Sequence, residues 1–475
     1  MLAAFKRLSL IGRFACALCL STLLVRLISL GLYPLMDTTE ARYGEMARIM
    51  VETGNWVTPM FDYGIPFWGK PPMFTWLSAA GFSLLGINEF AARLPHLLVG
   101  FGVLLLVWKT ARLARQNSSD AWLAAAILAS TTAFSLISGA VMTDTALTLG
   151  ITLAMVSFWR AWQQQGRHWG YLFFVGLAIG LMSKGPLTLV LVGISLFLWL
   201  VPEGRWRHFT ARLPLLTGPV LMLALTLPWY MIAEQATPGF LNYFLVGEHF
   251  KRFVVSGWQG DLYGTAHKEV RGMIWLLWLI TALPWTPILL TQFAKIIRVR
   301  ERHQTTKTKG LIGYAGFLWS WMLAPLILFT FSGNILYSYI MPGLPAMALL
   351  IVHYQSRLCW SPKVFLVGCL TPALLLAASV ALLTEAIPPN SQKPLLQAAL
   401  QTQPEIANTP LYYLKERPFS GQFYSQGKAK LLAANHHQPP YYLVVKGSIN
   451  SANSPDASHC EQRHTWHKHR LYYCY

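Results

Sequence analysis

Apolar runs alternate with short basic gaps along most of this chain. A helix needs about 20 mostly apolar residues to cross a bilayer. About eleven such runs stand out, near residues 12–33, 94–108, 121–141, 145–162, 169–183, 186–201, 214–232, 273–293, 311–331, 338–355 and 364–384. Several fall short of a full crossing, so tilted or extended spans are expected, eleven to thirteen in all. Lys6, Arg7 and Arg13 lie at the start of the first run and Arg26 interrupts it. No clear small-residue cleavage site follows, so it reads as an uncleaved span.

The gaps set a direction. Lys and Arg concentrate in the cytoplasmic loops of membrane proteins. With a cytoplasmic N-terminus, the inner loops carry Lys109, Arg112 and Arg115; Arg160 and Arg167; Arg205, Arg207 and Arg212; Lys295, Arg298, Arg300, Arg302, Lys307 and Lys309; and Arg357 with Lys363. Residues 34–93, 233–272 and 385–475 then face outward. The last of these is polar and rich in Pro, Gln, Asn and His, with a strand-like run at 441–445. The expected organisation is a helical polytopic membrane domain over 1–384 and a small soluble α/β domain, on the outer face, over 385–475. No internal repeat of the kind that builds many transporters is visible.

Composition narrows the class. Of 475 residues, 54% are hydrophobic and 12% charged, against about 25% charged in soluble chains. That excludes a soluble enzyme, a disordered chain and a disulfide-rich module. The net charge is 38 − 19 = +19. It sits in the loop clusters without a recognition motif, so nucleic acid is not an expected partner. Cys16, Cys19, Cys359 and Cys369 lie in or beside apolar sequence and read as packing residues. Cys460 and Cys474 lie in the polar tail and could pair in an oxidising compartment. His459, His464, His467 and His469 match no common zinc spacing.

Acidic residues are scarce, yet the first outer segment holds Asp37, Glu40, Glu45, Glu52, Asp62 and Glu89. In Asp37-Thr-Thr-Glu40-Ala-Arg42-Tyr43-Gly-Glu45, the i, i+3 spacing places Asp37 and Glu40 on one side of a helix start. The local alternative is Asp37 as N-cap and Glu40 in a capping box, with Gly54 ending the helix. Further on, 64–72 holds Lys70 beside Phe67 and Trp68, in backbone made extended by Pro71 and Pro72, for which a headgroup-level lysine among interfacial aromatics is the local alternative. Asp144 and Lys184 stand at outer ends of spans, where ionisable groups are usually functional. Capping and helix-end charge are their local alternatives. Glu248, His249 and Arg252 cluster in the second outer segment, which an amphipathic interfacial helix would also explain, and Tyr339 opens a proline-containing span. The topology puts these groups on one face, where cations suit an anionic ligand such as a lipid phosphate.

Residues 37–45, 66–72 and 88–95 together resemble the bacterial protein-mannosyltransferase-like glycosyltransferases, and among them the aminoarabinose transferases that modify lipid A. The resemblance runs from the first span to about residue 350. It implies a C-type glycosyltransferase fold and transfer of a sugar from a polyprenyl (undecaprenyl) phosphate to an envelope acceptor, such as lipid A, on the periplasmic face of the bacterial inner membrane. It implies inversion by single displacement. The family's first-loop acid makes Asp37 and Glu40 the catalytic candidates. Where those transferases carry Asp-Glu-Thr-Arg-Tyr, this chain has Thr39-Glu-Ala-Arg-Tyr43, with the Asp two residues earlier, so both carboxylates stay open. The implied donor-phosphate and substrate set is Arg42, Tyr43, Lys70, Asp144, Lys184, Glu248, His249, Arg252 and Tyr339. Gly69 stands where the family has Glu, and the lysine that often precedes the tyrosine is absent. A divalent cation held by Asp37 and Glu40 is an open alternative to charge neutralisation by the lysines. A transporter or flippase for lipid-linked sugars is the rival class.

Overall fold

The computed structural model describes residues 8–115, 117–204, 206–255, 258–264, 268–302, 313–358, 362–402, 408–432, 439–447 and 459–475. Lys6, Arg7, Arg205, Lys307, Lys309 and Cys359 lie outside the described residues. The membrane part is a bundle that starts with α1 (Leu10–Ser29). The first outer segment supplies α2 (Thr39–Thr53), a short hairpin of β1 (Met60–Asp62) and β2 (Ile65–Pro66), and α3 (Met73–Leu85). Then come α4 (Glu89–Arg115), α5 (Ser118–Ala129), α6 (Thr132–Ile137), α7 (Asp144–Trp162), α8 (His168–Lys184), α9 (Leu187–Leu200) and α10 (Thr217–Ala236). A π-helical segment, Tyr243–Lys251, lies in the second outer segment. The bundle closes with α11 (Met273–Thr281), α12 (Thr286–Arg302), α13 (Tyr314–Thr330), α14 (Leu344–Leu358) and α15 (Leu370–Leu383).

The eleven apolar runs do not appear as eleven long spans. Among the described residues, Leu10–Ser29, Glu89–Ala114 and Lys363–Leu383 are long and apolar enough to cross a bilayer, and Met273–Thr281 with Thr286–Arg298 form an apolar pair bent by 105°, a broken span or a re-entrant loop. The run at 121–141 breaks into α5 and α6, and the run at 338–355 begins as a 3-10 stretch, Tyr337–Gly343, with Pro342 inside it. Proline removes a helical donor and crowds the preceding turn. Such breaks are tolerated where protein, not lipid, surrounds the backbone. Cys16 and Cys19 are buried as expected, whereas Cys369 is exposed rather than packed.

Close packing of α7 on α8 positions two charges. A methyl group on Gly150 would lie 2.6 Å from the Gly180 nitrogen, and one on Gly176 would lie 2.5 Å from the Ala154 nitrogen. Small residues let helix backbones approach this closely. The approach brings the first residue of α7, Asp144, against the last of α8, Lys184.

The C-terminal segment builds a five-stranded sheet of β3 (Leu411–Tyr413), β4 (Lys430–Leu431), β5 (Tyr441–Lys446), β6 (Cys460–Trp466) and β7 (His469–Cys474). The order is β4-β3-β5-β7-β6, parallel among the first three strands and antiparallel after them. Leu395, Leu396 and Ala399 of α16 (Lys393–Thr402) pack on Leu411, Tyr413, Tyr442 and Val444. Tyr441, Leu443, Val445 and Tyr472 fill the other face, which explains the nearly continuous apolar β5.

Cys460 and Cys474 form a disulfide across β6 and β7, 14 residues apart. Replacing Cys460 with Ser is expected to lower the stability of this segment by about 3 kcal/mol, the loop-closure value for a ring of that size. Thermal melts of wild type and variant, each with and without reductant, check this. Reductant should lower the wild-type transition and leave the variant's unchanged.

Candidate active site

The first outer segment folds against the C-terminal segment, and that contact decides where its carboxylates point. Helix α2 starts at Thr39, and its N-cap residue, Thr38, makes no side-chain cap. Asp37 is therefore not the cap of this helix. Its backbone N–H donates to the Asn390 carbonyl at 2.8 Å, and Asn390 Nδ2 donates back to the Asp37 carbonyl at 3.0 Å. Its carboxylate accepts from the Ser420 N–H at 2.9 Å and from the Ser420 hydroxyl. Burial pushes the Asp37 carboxyl above its ordinary value, against the downward pull of the Ser420 bonds. Gly54 ends α2 in the left-handed conformation, at φ 69°, as expected.

Glu40 points elsewhere. It takes two hydrogen bonds from Arg93, Nε to Oε1 at 3.0 Å and Nη2 to Oε2 at 2.7 Å, and a third from the Val141 N–H at 3.2 Å. Arg93 is fully buried and also donates to the carbonyls of Leu30, Tyr33 and Pro34. Burial disfavours the Glu40 charge, but Arg93 outweighs it and holds the carboxyl below its ordinary value. The remaining acids divide between two uses. Glu45 and Glu52 pair with Arg48. Asp62 and Glu89 anchor the C-terminal segment, Asp62 through Arg417 and Gln422, Glu89 through Lys393 and Tyr424.

Three cations, Lys70, Arg252 and Lys184, are each paired. Lys70 Nζ lies 3.0 Å from Glu248 Oε2 and 2.6 Å from the Gly69 carbonyl. Arg252 Nη1 reaches Glu248 Oε2 at 2.9 Å and Asp261 Oδ2 at 3.3 Å. Lys184 Nζ lies 2.7 Å from Asp144 Oδ1 and 4.6 Å from the centre of the Tyr339 ring. Burial raises the Glu248 carboxyl, and Lys70 and Arg252 more than reverse that. Charge there sums to zero, +3 against −3, yet most ammonium and guanidinium protons stay free to donate. The local alternatives fail in part: Asp144 makes no cap, since the residue before α7 carries no side-chain cap bond, and its charge is spent on Lys184.

His249 faces two carbonyls, Nδ1 to Phe244 at 2.8 Å and Nε2 to Lys184 at 2.9 Å. Burial holds its pKa below the ordinary value, so the neutral ring donates to only one of them. It braces the loop between Lys184 and the Glu248 turn. Arg42 Nη1 donates to the Tyr263 carbonyl at 2.6 Å. Tyr43 packs on Phe74, ring centres 4.2 Å apart.

All eleven residues singled out in the sequence line one cavity of about 770 Å³. It also exposes groups the sequence reading did not assign: Arg26, Tyr33, Asp261, Tyr263 and Phe419. Arg26 was visible only as a charge inside the first apolar run; here its guanidinium holds Tyr33 and the Leu136 carbonyl. Among the described residues, no group of three or more His, Cys, Asp or Glu side chains gathers as a metal site. Asp37 and Glu40 turn to different partners, Ser420 and Arg93, and do not form a shared carboxylate pair.

Comparison with known proteins agrees with this architecture. A family model described as dolichyl-phosphate-mannose-protein mannosyltransferase matches residues 9–244. The undecaprenyl phosphate-alpha-4-amino-4-deoxy-L-arabinose arabinosyl transferase of Erwinia tasmaniensis is 30% identical over 355 residues, covering 73% of this chain and 60% of that protein. The protein of the same name from Enterobacter sp. (strain 638) is 27% identical over 361 residues, covering 74% and 61%. The chain thus spans about three fifths of the length of these curated relatives. Among solved structures, ArnT from Cupriavidus metallidurans bound to undecaprenyl phosphate matches with a TM-score of 0.76 at 17% identity, over 98% of both chains. The apo oligosaccharyltransferase of Archaeoglobus fulgidus matches at 0.53 and 10% identity, over 88% of this chain and 64% of that one. These likenesses show the fold.

Proposed function

The chain matches the protein-mannosyltransferase-like and aminoarabinose-transferase-like family in sequence and has its C-type, multi-pass membrane fold, and from that premise we propose that it transfers a sugar from a polyprenyl phosphate to a cell-envelope acceptor. The observation that carries this reading is that the first-loop carboxylates line the same cavity as Lys70, Lys184 and Arg252. The proposed place of the reaction is the periplasmic face of the bacterial inner membrane, with residues 385–475 as the outer domain. The named activity of the curated relatives, arabinosyl transfer from undecaprenyl phosphate, supports the class of donor. Lipid A is the acceptor proposed first, on the resemblance to lipid A-modifying transferases.

The chemistry follows from charge. The acceptor oxygen attacks the anomeric carbon as the bond to the phosphate oxygen breaks, and the polyprenyl phosphate departs with the electron pair. Lys70, Lys184 and Arg252 stabilise that charge as it grows. Their carboxylate partners hold them in place beforehand, so little ordering is left for the moment of binding. For a hydroxyl acceptor, Asp37 takes the proton. A single displacement from the opposite face inverts the anomeric centre. Glu40 serves by fixing Arg93 and the start of α2.

Mass spectrometry of lipid A and total envelope glycolipids, with the chain present and absent, tests this. A sugar-sized increment on an envelope acceptor should follow the chain. No increment, with lipid-linked sugar accumulating on one face of the membrane, would favour a transporter.

A further inference from the structure

The carboxylates of the first outer segment were the main functional signal, yet Asp62 and Glu89 serve to anchor the C-terminal segment. Those anchors dock it together with the two hydrogen bonds between Asp37 and Asn390, the Leu35 N–H donated to the Tyr424 hydroxyl at 2.7 Å, and Phe423 buried in the core of the first segment. Ser420, at the start of α17 (Phe419–Tyr424), does something else. It is fully buried, and its hydroxyl oxygen accepts from the Gln392 N–H at 2.9 Å. That bond turns the hydroxyl proton toward Asp37, which accepts it on Oδ2 while Oδ1 accepts the Ser420 N–H at 2.9 Å. One buried residue thus fixes both oxygens of the carboxylate. The next residue back, Phe419, lines the same cavity, with the Arg42 guanidinium 5.9 Å from its ring centre.

We propose that Ser420 is a positioning residue for Asp37, so that the C-terminal segment completes the reaction site instead of only covering it. This rests on Asp37 being the carboxylate that meets the acceptor. The hydroxyl bond orients the carboxylate and favours its charged form, which is the form that takes a proton. Removing the hydroxyl leaves the backbone bond and the anchors in place, but raises the pH at which Asp37 ionises.

The test is the initial rate of sugar transfer in intact cells against medium pH, read as the sugar-sized mass increment on envelope lipids. No acceptor need be named in advance. For Ser420→Ala, the acidic limb should move to higher pH, with the rate below it falling about tenfold, the value of one hydrogen bond to a charged group. The rate should recover on the alkaline side, which also shows that the variant folds. Ser420→Cys, a weak donor of similar size, should shift the limb the same way, and Ser420→Thr should return it toward its wild-type position. Arg417→Ala, which weakens the Asp62 anchor and leaves only its Gln422 bond, should lower the rate evenly across pH. A Ser420→Ala profile that superimposes on wild type, or that falls evenly like Arg417→Ala, would overturn the positioning role while the transferase reading stands. Full transfer by Asp37→Asn, or no increment with the wild-type chain, would remove that reading and this inference with it.

Discussion

With a hydroxyl acceptor, Asp37→Asn is expected to lower sugar transfer by at least about 100-fold while the protein still inserts and folds. A positioned general base contributes on the order of 10²–10⁴ in rate, and asparagine cannot take the proton. The substitution is nearly isosteric. Its side-chain oxygen still accepts the Ser420 N–H, and the two bonds to Asn390 use only the backbone of residue 37. The anchors at Asp62 and Glu89 are untouched. Envelope mass spectrometry reads the transfer, and size-exclusion chromatography of the purified protein reads the fold. Loss of transfer with a normal elution profile assigns the carboxylate. Full transfer would sink the assignment, and a collapsed profile would show that the Asp37 charge is needed for docking.

The bundle was legible because the bilayer imposes a coarse rule: long apolar runs must become helices. The breaks in them were less visible, since 121–141 reads as one run although it folds as α5 and α6. The gathering of the site was legible too, through loop charge: basic gaps on one side put Asp37, Lys70, Asp144 and Lys184 on the other. The partners of these groups were not. Asp37 looked like an N-cap, because its local sequence allows one, and its real partner stands 383 residues away. No periodicity reports a contact at that distance. Arg93 lies inside the motif 88–95, but nothing local shows that it is fully buried and paired with Glu40. Acidic residues of the first segment divide between the cavity and the contact with the C-terminal segment. They mark a docking face as well as a site.

Glu40 is expected to behave differently from Asp37, and the difference separates the two carboxylates. Glu40→Gln removes the counter-charge of a fully buried guanidinium. Breaking a buried pair from one side costs about 3–5 kcal/mol, because the other charge is left uncompensated. Arg93 keeps three carbonyl acceptors and the Tyr33 ring, 3.9 Å from its guanidinium carbon. The loss should therefore fall at the lower end, about 3 kcal/mol. A thermal melt in detergent should show a clear fall in Tm for Glu40→Gln. Adding Arg93→Met should recover part of it, since removing both charges is less harmful than removing one. The double-mutant cycle then gives the coupling directly. If Glu40→Gln instead melts like wild type but loses transfer, Glu40 is the reacting carboxylate. Asp37 would then be the residue that docks the C-terminal segment, which its bonds to Asn390 and Ser420 would equally allow.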